Sequence, residues 1–227
     1  MIMPRKSLAA KKEKAAQILD TLYALYPESD CTLSFDGDPF RLLVMARLSA
    51  QCTDARVNLV CEELFRKFPD VYAFAAAPYE AIEEIVRPCG LYRMKAKNIK
   101  DASVMLIDRF DGKVPSDMDA LLSLPGVGRK IANLLRGDCF GLGGIVADTH
   151  CIRLAGRMGL TGSKDPAVVE RDLEPLIPKD RQSGFCHRMV DFGRDRCKAQ
   201  NPHCDGCPVA CGFSNAERVK TKKQQGK

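Results

Sequence analysis

Residues 124–150 read LPGVGRKIANLLRGDCFGLGGIVADTH, and a proline, two glycines and a change of apolar spacing divide the run into helix, hairpin and helix. Leu121, Leu122 and Leu124 close a short helical pattern, which Pro125 stops because it lacks an N–H and its ring crowds the preceding turn. Gly126 and Gly128 allow backbone conformations that a side chain would obstruct. Ile131, Leu134 and Leu135 then recur at helical spacing, so a second helix carries Arg129 and Lys130 in its first turn. The hairpin amides and the free N–H groups of that turn face outward together, a ready seat for a phosphate oxygen. On residues alone, LPGVG is also the signature of a plain αα-turn. Lys130 is then a phosphate contact and Asp148, which precedes another helical pattern, an N-cap.

Outward from this run the chain reads as helices throughout. Ile18, Leu19, Leu22, Leu25 and Tyr26 give a first amphipathic helix over 15–26, ended by Pro27. Asp38-Pro39 reads as N-cap and first position for a helix over 40–49, and Thr53 as the cap for one over 56–68. Further patterns cover 71–77, 79–86 and 94–110, with a turn at 87–90. Ser116 and Asp119 resemble a capping box opening the helix before the hairpin. Helices are expected near 149–158, 166–176 and 181–192. No segment alternates apolar and polar residues, so the expected fold is all-α. The loop Gly141-Leu142-Gly143-Gly144 is the candidate crossing between two lobes.

With 227 residues, 45% of them hydrophobic, the chain can bury a core, which excludes disorder throughout. No apolar run approaches the ~20 residues of a membrane span, and MIMPRKSLAAKKEK lacks the apolar stretch of a secretory signal. A soluble, intracellular protein is expected. The net charge is +6, but residues 1–14 and 212–227 together carry +8 and the rest −2. The tails are therefore either polyanion-binding or simply solvated, and local charge has to serve any nucleic acid. Arg93, Lys95, Lys97 and Lys100 follow Leu91, and Arg129 and Lys130 follow the hairpin.

Eleven cysteines without an export signal argue against a disulfide framework. Cys31, Cys52, Cys61, Cys89, Cys139, Cys151 and Cys186 show no ligand spacing and read as small core residues. Cys197, Cys204, Cys207 and Cys211 differ: Cys-x6-Cys-x2-Cys-x3-Cys puts four soft thiolates within fifteen residues, able to converge on one zinc ion or on an iron–sulfur cluster.

From about Ala15 to Phe213 the chain resembles the helix-hairpin-helix DNA glycosylases, and within them the endonuclease III branch. The match lies in LPGVGRK (124–130) leading to Asp148-Thr149-His150, with Ala147 where that branch has valine. The resemblance implies two helical lobes: a six-helix unit at 32–142 ending in the hairpin motif, and a second lobe from 1–31 and 143–213, followed by a basic tail at 214–227. It implies a bifunctional glycosylase and AP lyase that removes oxidised pyrimidines from duplex DNA, with Lys130 as Schiff-base nucleophile and Asp148 assisting. LSAQCTD resembles the family's LSAQ-x-TD run, making Gln51 a wedge under the flipped nucleotide, and Leu91 in CGLYRMKAKNI matches a second inserting residue. Gly126, Gly128 and Arg129 would meet phosphates, with Arg194, Arg196 and Lys198 beside the cysteines. The four cysteines would hold a [4Fe-4S] cluster. The family's last gap is x5, and the x3 here keeps zinc or an incomplete cluster open. A cytoplasmic, nucleoid-associated monomer is implied. The alternatives are a monofunctional adenine-type glycosylase, which lacks the lysine, and a non-catalytic helix-hairpin-helix protein with a zinc site.

Overall fold

The computed structural model describes residues 8–209 and 211. Among them there are eleven α-helices, two 3-10 turns and no strand. In order the helices are α1 (Leu8–Leu25), α2 (Pro39–Leu48), α3 (Asp54–Lys67), α4 (Val71–Ala76), α5 (Tyr79–Val86), α6 (Tyr92–Phe110), α7 (Met118–Ser123), α8 (Arg129–Asp138), α9 (Thr149–Arg157), α10 (Pro166–Leu173) and α11 (Gln182–Asp195). No described helix is long and apolar enough to cross a membrane. The chain divides into two compact units, one being Cys31–Gly143 and the other the described parts of Met1–Asp30 and Gly144–Lys227.

In the Cys31–Gly143 unit, helix starts follow local capping chemistry. The Asp38 carboxylate accepts from the Phe40 and Arg41 amides, and Pro39 supplies the fixed φ of a first helical position. Thr53 caps α3 through the Arg56 amide. The helix before the hairpin departs from expectation by one residue: Asp117, not Ser116, is the cap, accepting from the Ala120 amide at 2.9 Å. Both residues carry a capping oxygen, and the carboxylate takes the position. Leu42, Leu48, Leu64, Phe74, Ile82, Leu106, Leu121 and Leu135 are fully buried in one core. Phe40, Phe65 and Phe68 surround Phe74 at centroid distances of 5.4, 6.2 and 5.4 Å, the edge and tilted contacts that aromatic quadrupoles favour.

In the unit of the chain ends, α1 starts well before the apolar pattern that announced it. Its first turns, LAAKKEK, consist of strong helix formers that stay largely exposed and so leave no periodic signal. Ile18, Leu19 and Leu22 of α1 are buried, as are Leu154 of α9, Val169 of α10 and Phe185, Met189 and Phe192 of α11. Arg181 and Arg188 both lie over the Tyr23 ring, at 4.2 and 3.6 Å. Arg188, itself buried, ties α11 to the end of α1 through the Pro27 carbonyl at 2.8 Å. Of the seven scattered cysteines, Cys61, Cys89, Cys151 and Cys186 are buried, while Cys31, Cys52 and Cys139 are only partly covered. The size of a thiol admits both settings.

Candidate active site

The hairpin is built from the core outward. Leu124 and Val127 are buried, and the Val127 amide closes the turn on the Leu124 carbonyl at 3.1 Å. Between them Gly126 has φ +78°. A Cβ there would fall 2.7 Å from both Arg47 Nε and Asn98 Nδ2, so backbone conformation and packing both demand glycine. With the Asn98 oxygen turned toward Arg47, it accepts from Nε at 3.1 Å and Nη2 at 2.7 Å. This pair from α2 and α6 forms the floor of the hairpin, and burial lowers the pKa of Arg47.

Gly128 corrects the sequence expectation that both glycines relieve obstruction. Its φ of −103° is ordinary, it is the N-cap of α8 without a side-chain bond, and a Cβ there would meet nothing within 4 Å. The protein itself does not require glycine at this position. Arg129 and Lys130 follow in the first turn of α8, both exposed.

Gln51 and Leu91 share a conformation that side chains rarely adopt. Their φ values are +56° and +47°, both residues are exposed, and Leu91 is 50% accessible. Left-handed backbone at a residue with a Cβ costs ~1 kcal/mol or more, so the surroundings must hold both in place. Leu91 opens α6 with its carbonyl, which accepts the Lys95 amide at 3.0 Å.

The basic run after Leu91 is not the phosphate-facing patch it resembles in sequence. Lys95 is fully buried, with Nζ donating to the carbonyls of Leu48 and Cys89 at 2.7 Å each. Burial pushes its pKa down, and the neighbouring Cys89 and Cys52 thiols oppose the fall. Lys97 pairs with Asp101, and Lys100 donates to the Ala75 and Ala77 carbonyls. Arg93 keeps an 80% exposed side chain, 4.0 Å from Glu83. The tertiary fold turns most of the run toward carbonyls and carboxylates.

In the other unit, Asp148 is the N-cap of α9, its Oδ1 accepting from the Cys151 amide at 2.7 Å. One carboxylate oxygen is thereby committed to the helix, which fixes the orientation of the group. Gly193 of α11 lies against α9: a Cβ there would come 2.8 Å from Arg153 Nη2 and closer still to His150 Nδ1. Further along α9, Arg153 Nη2 donates to the carbonyls of Gly193 and Cys197. Arg157 donates to Cys197 Sγ at 3.2 Å and to the Lys198 and Ala199 carbonyls at 2.7 and 3.0 Å. One helix thus carries Asp148 at its start and grips the first cysteine of the metal-type motif at its end.

The four thiols, close together in sequence, suit a metal group by the chemistry of their thiolates, although among the described residues no three of their sulfurs lie within 4.8 Å of one another. Cys197, Cys204, Cys207 and Cys211 are all free and partly exposed. Among the described residues of their segment, Val209 is the buried apolar one. Backbone bonds such as Cys207 N to Cys204 O at 3.2 Å turn it sharply, and a covalent tie through thiolates is the kind of staple so small a segment needs. Burial raises the pKa of Cys197, while the hydrogen bond and charge of Arg157, with Arg153, pull it back.

Sequence reasoning read Lys95 as a surface cation and missed Asn98, Arg47, Arg153 and Arg157. The last two stand at i, i+4 on the helix that follows Asp148, a spacing that puts both on one face and was available as a signal. Nothing in its residue type separated Lys95 from its exposed neighbours.

Comparison with known proteins follows the same lines. The sequence profile of the HhH-GPD superfamily base excision DNA repair proteins matches residues 44–179. An endonuclease III from Synechocystis sp. is 44% identical over 206 residues, covering 90% of this chain and 94% of that protein. A solved non-covalent endonuclease III–DNA complex superposes with TM-score 0.85 at 40% identity, covering 93% of this chain and 98% of the other. A trapped endonuclease III–DNA covalent intermediate gives TM-score 0.84 at 42% identity, with the same coverage.

Proposed function

Since the chain belongs to the HhH-GPD superfamily of base excision DNA repair proteins and, within it, to the endonuclease III family, we propose that Lys130 and Asp148 make it a bifunctional glycosylase and AP lyase for oxidised pyrimidines in duplex DNA. The observation that carries this reading is an exposed primary amine one residue into the helix that follows the glycine hairpin. A relative 42% identical has been trapped covalently on DNA, which supports a nucleophile in the chain.

The lone pair of Lys130 Nζ forms a bond to the sugar C1′ as the glycosidic bond breaks, and its electron pair leaves with the base. Loss of a proton from nitrogen and opening of the ring give a Schiff base. That imine acidifies the C2′ proton, whose removal lets the C3′–O bond break and expels the 3′ phosphate. Water then hydrolyses the imine and frees the lysine. Attack requires the neutral amine, whose lone pair is free to form the new bond. Asp148, with one oxygen on the Cys151 amide, stabilises the positive charge that develops on the sugar and accepts a proton from the incoming amine.

Before chemistry the nucleotide must leave the stack, which costs a few kcal/mol. Gln51 and Leu91 fill the gap, while Gly126, Gly128 and Arg129 hold the backbone. Cys197, Cys204, Cys207 and Cys211 hold a [4Fe-4S] cluster of structural role: it ties down the segment that Arg153 and Arg157 join to α9. Arg194, Arg196 and Lys198 flank that segment toward phosphates.

The test is incubation of the purified protein with duplex DNA carrying one oxidised pyrimidine, followed over time. Release of the base together with strand cleavage is expected. Base release without cleavage would make the protein monofunctional, and binding with neither would make it a non-catalytic reader of DNA.

A further inference from the structure

Lys95 is among the largest fully buried side chains of the protein, and its ammonium is satisfied by two backbone carbonyls. Burying a cation on carbonyls alone is costly when a methionine could fill the same space. A group retained at that cost is a candidate for a task beyond packing. The two carbonyls identify the task. Leu48 is the last residue of α2, and Gln51 stands three residues beyond it. Cys89 ends the 3-10 turn Arg87–Cys89, and Leu91 stands two residues beyond it. Ser49 accepts the Cys52 amide at 3.0 Å and Arg87 the Gly90 amide at 3.2 Å, so each short loop is wound locally, and Lys95 Nζ joins the two. Lys95 further brackets Leu91 by giving its own amide to the Leu91 carbonyl at 3.0 Å. Strained backbone persists only where its surroundings over-determine it, and one side chain here reaches both strained loops.

We propose that Lys95 is a positioning residue for nucleotide extrusion: by holding the carbonyls of Leu48 and Cys89 on one ammonium, it keeps Gln51 and Leu91 spaced to enter the base stack as a pair. This rests on the reading of Gln51 and Leu91 as the inserting side chains. Lys95 touches no DNA; it acts through the two loops.

The experiment is a mutant cycle on the full-length protein, read as the single-turnover rate of excision from a duplex with one thymine glycol. The proteins are wild type, Lys95→Met, Gln51→Ala with Leu91→Ala, and the triple variant. Lys95→Met should lose about tenfold in the wild-type background and less than about twofold once both inserting side chains are gone, the coupling expected of groups that share one network. An equal loss in both backgrounds would mean that Lys95 only supports the fold, and the inference fails. If the double alanine variant excises as fast as wild type, the inserting role itself fails, a different result with its own signature. Should Lys95→Met not fold, the same cycle with Lys95→Arg decides, because a guanidinium keeps the charge but, being planar and on a longer side chain, holds the two carbonyls at a different spacing.

Discussion

Gly126 and Gly128 stand two residues apart in one hairpin and answer to different constraints. At Gly126, left-handed backbone combines with a Cβ position 2.7 Å from Arg47 and Asn98; Gly126→Ala should therefore lower stability by about 1–3 kcal/mol, as overpacking and positive φ both do. At Gly128 the backbone is ordinary and the space open, so Gly128→Ala should cost only about 0.5 kcal/mol as a poorer N-cap while weakening DNA binding, which thermal melting and fluorescence anisotropy with labelled duplex would separate. Equal effects of the two changes on melting would contradict the assignment. The sequence could reveal that both positions are glycine in a turn, but not which one the protein needs for itself, since that depends on Arg47 and Asn98 arriving from distant helices. Lys95 eluded reading for the same reason: its type and its basic neighbours say surface, and only the meeting of two loop ends says otherwise.

At the level of helices, local chemistry was legible and long-range ties were not. Asp38, Thr53 and Asp148 cap as their types suggest, whereas the choice of Asp117 over Ser116 lay between two adequate caps one residue apart. The start of α1 was hidden because exposed Ala, Lys and Glu have propensity without periodicity. The link between α9 and the cysteine segment was hidden too, because Arg153 and Arg157 could equally have faced solvent. It leads to a prediction about the metal. Purified protein should contain about four iron atoms per chain; one zinc and no iron by metal analysis would overturn the cluster. Cys207→Ala should lose the iron and speed amide hydrogen exchange first in 197–211 and then in the last turns of α9, because the arginines bond to carbonyls that a metal on the four thiols would hold still. Unchanged exchange in α9 would show that this tie carries no stability.

For the whole molecule, the chain order by which its ends build one unit and its middle the other cannot be read from periodicity or composition; it came into view only through the family resemblance carried by LPGVGRK, the aspartate and the cysteines. Charge was informative in the opposite sense. A net +6 looks like a DNA-binding signal, yet the basic run after Leu91 is spent largely on internal partners. What the fold presents outward is the hairpin with Arg129 and Lys130, and the central claim falls on one amine. Sodium borohydride added during reaction with duplex carrying an abasic site or an oxidised pyrimidine should reduce the Schiff base and leave protein covalently joined to DNA. Lys130→Gln should abolish that adduct while retaining DNA binding, because the hairpin amides and Arg129 remain to hold phosphates. An undiminished adduct from Lys130→Gln would contradict the account, as would wild-type protein that releases the base and never forms one.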